Sequence, residues 1–150
     1  MIRDPSLIPL SHDHQHALAL CVQIRRELGD VMRPAIAVQR LRELVLSHFE
    51  SEMRGHFACE ETIVFPVLAA VDETRPLVSE LLGEHRRIAE LVDAIRIEPD
   101  ARLLAAFAEL LTQHVRKEER GLFEEMQRSL PREELDGIGA AVLASRGRSL

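Results

Sequence analysis

The sequence predicts an all-α fold of four long helices, each antiparallel to its neighbours, followed by a short extra helix. Three observations carry this. Aromatic content is 3%, without Trp or Tyr, which disfavours a β-sandwich or barrel built on aromatic and β-branched residues. Ala, Leu, Glu and Arg, all helix formers, dominate the chain. Proline, glycine and capping residues divide it into helix-length segments with short connections, and short connections make neighbouring helices antiparallel. At 150 residues and 46% hydrophobic, the chain suits a single domain, 1–150, around one core.

The elements follow in order. Ser11, after Pro9 and Leu10, is placed to cap a first helix running to about Gly29. Pro34 fits the first turn of a long second helix ending near Pro66, which Gly55 is expected to weaken or bend slightly. Thr74 and Pro76 open a third helix, closed by Pro99. Asp100 caps a fourth, reaching about Arg128. Pro131 starts the short fifth segment, about 131–145, whose Leu135, Ile138, Val142 and Leu143 are expected to pack on the other helices. A homodimer contact is the other use open to that apolar face.

The apolar stripes carry the functional signal. At spacings of three and four, the first helix presents Leu10, His14, Ala17, Cys21, Ile24 and Leu28. The third presents Val78, Leu81, His85, Ile88, Val92 and Ile95. One histidine interrupts each stripe. The second helix presents Val45, Phe49, Glu52, His56, Glu60, Ile63 and Val67, and the fourth Leu103, Phe107, Leu110, His114, Glu118 and Leu122. Residues four apart share a helix face. His56-x-x-x-Glu60 and His114-x-x-x-Glu118 can therefore each offer an imidazole and a carboxylate to one small volume. Both halves of the chain read as an acid–His doublet (Asp13-His14, Glu84-His85) followed by His-x-x-x-Glu-Glu, the form of an internal duplication.

A single inward histidine is usually a hydrogen-bonded core residue. Four in register with two glutamates would be strongly destabilising unless they bind each other or a cation. The expectation is a metal centre of two ions, held about 3.5–4 Å apart by two bridging carboxylates. Imidazole and carboxylate without an inward thiolate pair favour iron or manganese over structural zinc. Glu61 and Glu119, one position off the stripe, are expected to be exposed or to support the ligands from outside. Neither His-Glu-x-x-His nor Glu-x-x-His occurs, which separates the chain from zinc proteases and ferritin-like proteins.

His14, His56-x-x-x-Glu60, His85 and His114-x-x-x-Glu118, in this order over four helices, resemble the hemerythrin-like (HHE cation-binding) domain family. The phrases His56-Phe57, Val64-Phe65-Pro66 and Leu122-Phe123 match as well, and the resemblance covers about 8–128. It implies an up-down-up-down antiparallel four-helix bundle, here with a short C-terminal extra helix. It also implies two iron ions in an oxo- or hydroxo-bridged non-haem centre, with manganese or zinc less favoured. Glu60 and Glu118 would bridge, His14 and His56 would bind one iron, and His85 and His114 the other. Oxygen-carrying members have a further histidine where this chain has Ala89. Glu52, one turn before His56 and without a counterpart on the fourth helix, is a candidate additional ligand or a supporting hydrogen-bond acceptor, with a partly exposed carboxylate as the alternative. His12, His16 and His48 rank below it, and Cys21 and Cys59 are read as packing residues.

The resulting functional expectation is a di-iron protein that binds a diatomic ligand, O₂ or NO, for carriage, storage or sensing. A redox enzyme consuming O₂, peroxide or nitric oxide, and an iron-handling or regulatory protein, are the alternatives, and an unidentified redox partner is left open. A net charge of −6 argues against nucleic acid. No run approaches the ~18 apolar residues of a membrane span. Two cysteines and an N-terminus without an apolar run point to a reduced, cytoplasmic setting.

Overall fold

The structure, a computed structural model, describes residues 1–29 and 34–148, with side chains to residue 146. It is all-helical, with no strand among the described residues and no helix long and apolar enough to cross a membrane. Helix α1 is Ile8–Leu28 and follows a 3₁₀ turn, Pro5–Leu7. Its start lies earlier than expected. Asp4 rather than Ser11 supplies the cap, accepting from the Ser6 amide at 3.0 Å. Pro5 and Pro9 both sit in first-turn positions, where a missing N–H costs nothing.

Helix α2 is one continuous rod, 34–69. Its α-helical parts are Pro34–His48, Arg54–Cys59 and Phe65–Ala69, joined by π turns at Phe49–Met53 and Glu60–Val64. Pro66 falls just beyond the second π turn, where the hydrogen-bond ladder is already interrupted. Helix α3 is Arg75–Ile97. Helix α4, 101–129, opens on Asp100, which accepts from the Leu103 amide at 2.8 Å. It carries a single π turn, Lys117–Leu122, between Ala101–Arg116 and Phe123–Ser129. Helix α5, Arg132–Arg148, runs a little past the expected end.

Apolar side chains form two clusters with a polar layer between them. Along α1, Leu10 belongs to one cluster, His14 to the layer and Ala17 to the other. Along α2 the order reverses: Met53, then His56 and Glu60, then Val64. Leu81, His85 and Ile88 on α3 repeat the first order, and Leu111, His114, Glu118 and Leu122 on α4 the second. Cross-contacts agree: Ser11 meets Glu119 and Arg25 meets Glu109, so α1 and α4 run in opposite directions.

Leu135, Ile138 and Val142 of α5 are buried, as expected. Leu143 is not: it is 62% exposed. One position beyond Val142 is about 100° around the helix, which turns Leu143 to solvent.

Candidate metal centre

A four-residue step overshoots one α-helical turn by about 40°, so a long run of such steps drifts off the buried face. The π turns, with their wider hydrogen-bonded loop, take up that drift. His56, Glu60, Val64 and Leu68 are all buried at steps of four, and so are His114, Glu118, Leu122 and Met126. Each run contains a π turn at its glutamate.

The structure brings together His14, His56, Glu60, His85, His114 and Glu118, each at most 6% exposed. The Nε2 atoms of His14 and His56 lie 3.1 Å apart, and those of His85 and His114 3.2 Å apart. Glu118 spans the two pairs. Its Oε2 is 2.9 Å from His14 Nε2, and its Oε1 is 2.6 Å from His114 Nε2. Glu60 Oε1 does the same from α2, 3.2 Å from His56 and 3.3 Å from His85. Two four-residue groups result, sharing both glutamates, with ligand atoms within 4.8 Å of one another in each.

The outer ring nitrogens show what the inner ones can do. His14 Nδ1 donates to Glu119 (2.7 Å), His56 to Asp13 (2.8 Å), His85 to Glu61 (2.8 Å) and His114 to Glu84 (2.9 Å). Each bond joins one helix to the next, so the four close a ring: α1 to α2, α2 to α3, α3 to α4, α4 to α1. A proton on Nδ1 leaves a lone pair on Nε2. Those lone pairs face carboxylate oxygens that are themselves acceptors. All four oxygens of Glu60 and Glu118 are buried without a hydrogen-bond donor. An enclosed layer of acceptors is a site for cations, and the carboxylate behind each histidine is what orients and enriches a metal-binding imidazole. The residues fit a metal pair.

The electrostatics make the same demand. Burial pushes the His85 and His114 imidazoles down, yet the Glu118 and Glu60 carboxylates outweigh it, raising them to about 9 and about 10. His14 and His56 are raised too, against the same burial. Burial would raise the Glu118 carboxyl, but His114 and its other neighbours hold it well below the ordinary range. Protons answer this charge only in part, because the two imidazoles of each pair stand Nε2 to Nε2 at 3.1 and 3.2 Å, where each disfavours the other's charge.

Glu52 stands at the edge of the layer, outside both four-residue groups. Met53, 3% exposed, takes the inward place expected for Glu52. The Phe49–Met53 π turn shifts the register by which Glu52 was placed on the stripe. The Glu52 carboxylate, 38% exposed, is 2.7 Å from His16 Nδ1 and 3.6 Å from His48 Nε2. His12 is exposed. Ala89 packs at the edge of the core, and Phe57 stacks on His85 with centroids 3.8 Å apart.

A small pocket adjoins His14, His56 and His114, walled by Ala17, Met53, Phe57, Leu111 and Val115, with His48 and Glu52 on its solvent side. Its volume of about 10 Å³ holds one molecule of water size.

Sequence reasoning left Asp13 and Glu84 without a role, although the acid–His doublets marked both. It had no signal for Arg3, Lys117 and Arg146, which contact Glu119, Glu84 and Asp13 respectively.

Comparisons with curated proteins and with solved structures found no match. Among protein families, the hemerythrin HHE cation-binding domain matches residues 9–126, most of the chain and all six buried layer residues. With that match and this layer in place, the chain belongs to the hemerythrin HHE cation-binding domain family.

Proposed function

We propose that this protein is a non-haem di-iron protein that takes up a diatomic ligand, O₂ or NO, for carriage, storage or sensing. The supporting observation is the enclosed acceptor layer, in which one carboxylate reaches both histidine pairs beside a pocket sized for one small molecule. On this reading the chain is a single domain, an up-down-up-down four-helix bundle with α5 added. His14 and His56 would hold one iron, His85 and His114 the other, with Glu60 and Glu118 shared. Two irons there would supply reversible one-electron chemistry and bind the diatomic ligand.

The protein's own residues do the rest. Asp13, Glu61, Glu84 and Glu119 hold the imidazoles in the tautomer that binds metal. Ala17, Leu111, Met53 and Val115 keep the pocket apolar, which admits a neutral diatomic molecule and excludes ions. Phe57, stacked on His85 and edge-on to His114 at 5.6 Å, packs an apolar ring against that pair.

The test is the optical spectrum of reduced, iron-loaded protein on exposure to O₂ and then NO. A new charge-transfer band that reverses on ligand removal supports carriage or sensing. No change with either gas contradicts the reading.

A second reading, a redox enzyme consuming O₂, peroxide or nitric oxide, is favoured by one observation. Glu52, His16 and His48 form a titratable cluster on the solvent side of the same pocket, where proton supply would serve turnover. Steady-state consumption with a reductant, lost in Glu52→Gln, supports it, and ligand cycling without consumption rules it out.

A further inference from the structure

The two histidine pairs are alike at the centre and differ one layer further out. On the His14–His56 side, the carboxylate behind each histidine is gripped by an arginine from outside the four ligand-bearing helices. Asp13 Oδ2 accepts from both His56 Nδ1 and Arg146 Nη2, and Arg146 Nη1 reaches Asp13 Oδ1 at 3.3 Å. Glu119 accepts from His14 Nδ1, from Ser11 Oγ at 2.8 Å and from Arg3 Nη2 at 3.2 Å. Arg3 also bonds the Glu119 carbonyl at 2.9 Å.

The other side has no such reach. Glu84, behind His114, pairs with Lys117 of α4 and more distantly, at 3.8 Å, with Arg87 of α3, both on ligand-bearing helices, and Glu61, behind His85, has no Lys or Arg partner among the described residues.

The two arginines belong to one docked unit. Helix α5 buries Leu135, Ile138 and Val142. Its Arg132 pairs with Asp4 at 2.6 Å, and Gly139 lies so close to the 3₁₀ turn that a Cβ there would stand 2.9 Å from the Ser6 Cα. Arg3 leads into that turn and Arg146 lies near the far end of α5. Both ends of the unit therefore touch carboxylates serving the same histidine pair.

We infer that Arg146 and Arg3 are positioning residues for the His14–His56 metal position, and that docking of α5 is linked to occupancy of that position more strongly than of the other. The inference rests on the two-metal reading above. A guanidinium is a rigid planar fork that fixes the carboxylate it grips. A fixed Asp13 aims the His56 Nδ1–H bond, and through the ring the Nε2 lone pair, at the metal. Linkage is reciprocal: whatever factor the docked helix adds to metal affinity, the metal returns to docking. Lys117 plays the corresponding part for His114 from α4 itself, and among the described residues no side chain of α5 grips a carboxylate behind the second pair.

The experiment is a stepwise cobalt(II) titration of the full-length, metal-free protein, followed by its d–d absorption, with hydrogen exchange on the loaded form. Wild type is expected to bind two ions in resolvable steps. Arg146→Ala should weaken one step by about 10–100-fold and leave the other within about twofold. Arg3→Ala, which leaves the α5 contacts in place, should weaken that same step. Lys117→Ala should weaken the other, and Arg146→Lys should restore part of the loss. Metal should slow amide exchange in α5 of wild type and not of Arg146→Ala. If wild type binds two ions and Arg146→Ala matches it in both steps, or weakens both equally, the link is overturned while the two-metal reading stands. If wild type binds fewer than two, that reading falls and the link with it.

Discussion

The α1–α2 half and the α3–α4 half repeat one chemical pattern and anchor it differently. Each supplies two histidines, one glutamate shared between the pairs and an acid–His doublet. In the first half the outer carboxylates are tied to the chain ends through Arg3 and Arg146. In the second the tie is Lys117, three residues from His114 on the same helix. The aromatic cover differs as well: Phe123 lies over His14 at 5.5 Å, whereas Phe57 and Phe65 both stack on His85, at 3.8 and 5.3 Å. The small pocket meets His14, His56 and His114 and leaves His85 behind its aromatic cover. A near-symmetric ligand layer can thus carry two positions with different surroundings, and the surroundings decide which one meets solvent, ligand and the rest of the chain.

The largest effect that bears on this comparison is removal of metal, which empties both positions at once. An ion held at a thousand times its Kd stabilises the fold by about 4 kcal/mol. At ~2 °C per kcal/mol for a domain this size, the melting temperature should fall by about 8 °C or more, measured by calorimetry with and without chelator. An unchanged transition would mean that the buried layer is satisfied without cations.

Aromatic truncation separates the halves. Phe57→Ala and Phe123→Ala should each cost about 3–5 kcal/mol in denaturant unfolding. Phe57→Ala should also loosen the metal at His85–His114, and Phe123→Ala the one at His14–His56, read as two different steps in a metal titration. Loss of the same step in both variants would show that the halves do not act separately.

Acidity sharpens the second half. Without metal, the neighbouring carboxylates push the His85 and His114 imidazoles up from 6.5 to about 9 and about 10, against the opposing effect of burial. A raised histidine stabilises the fold fully below its unfolded value, and the contribution is lost as pH rises through the folded one. Metal-free protein should therefore lose stability steadily from about pH 6.5 to about pH 10, whereas loaded protein, with metal in place of those protons, should not. Metal uptake should release protons, measurable as an uptake enthalpy that varies with the buffer. A metal-free melting temperature that rises over that pH range would contradict the assignment.

The smallest contrast lies within α5. Ile138→Ala should cost about 2–5 kcal/mol in denaturant unfolding, while Leu143→Ala, exposed, should stay within about 0.5 kcal/mol. Equal costs would mean that Leu143 is covered in solution, as by a second copy of the chain.

The six layer residues were legible because helix geometry alone carries them. Spacings of three and four put His14 and His85 on otherwise apolar stripes, and a step of four binds each glutamate to its histidine. What escaped the sequence lies in backbone hydrogen bonding and in contacts between distant positions. A π turn is a change of hydrogen-bond partner that no residue type announces, and the one at Phe49–Met53 left Glu52 at the edge with Met53 inside. The Arg146–Asp13 contact joins positions 133 apart, and only the packed fold brings them together. The doublets Asp13-His14 and Glu84-His85 were visible as a repeat. Their use, each acid serving a histidine on the following helix, needed the structure.

The central claim is that the buried layer holds two irons, and metal content per chain tests it most directly. Protein expressed with ample iron should contain about two irons per chain by elemental analysis, with Glu118→Ala reduced to one or none. One iron, a single zinc or no metal in carefully iron-loaded wild type would contradict it.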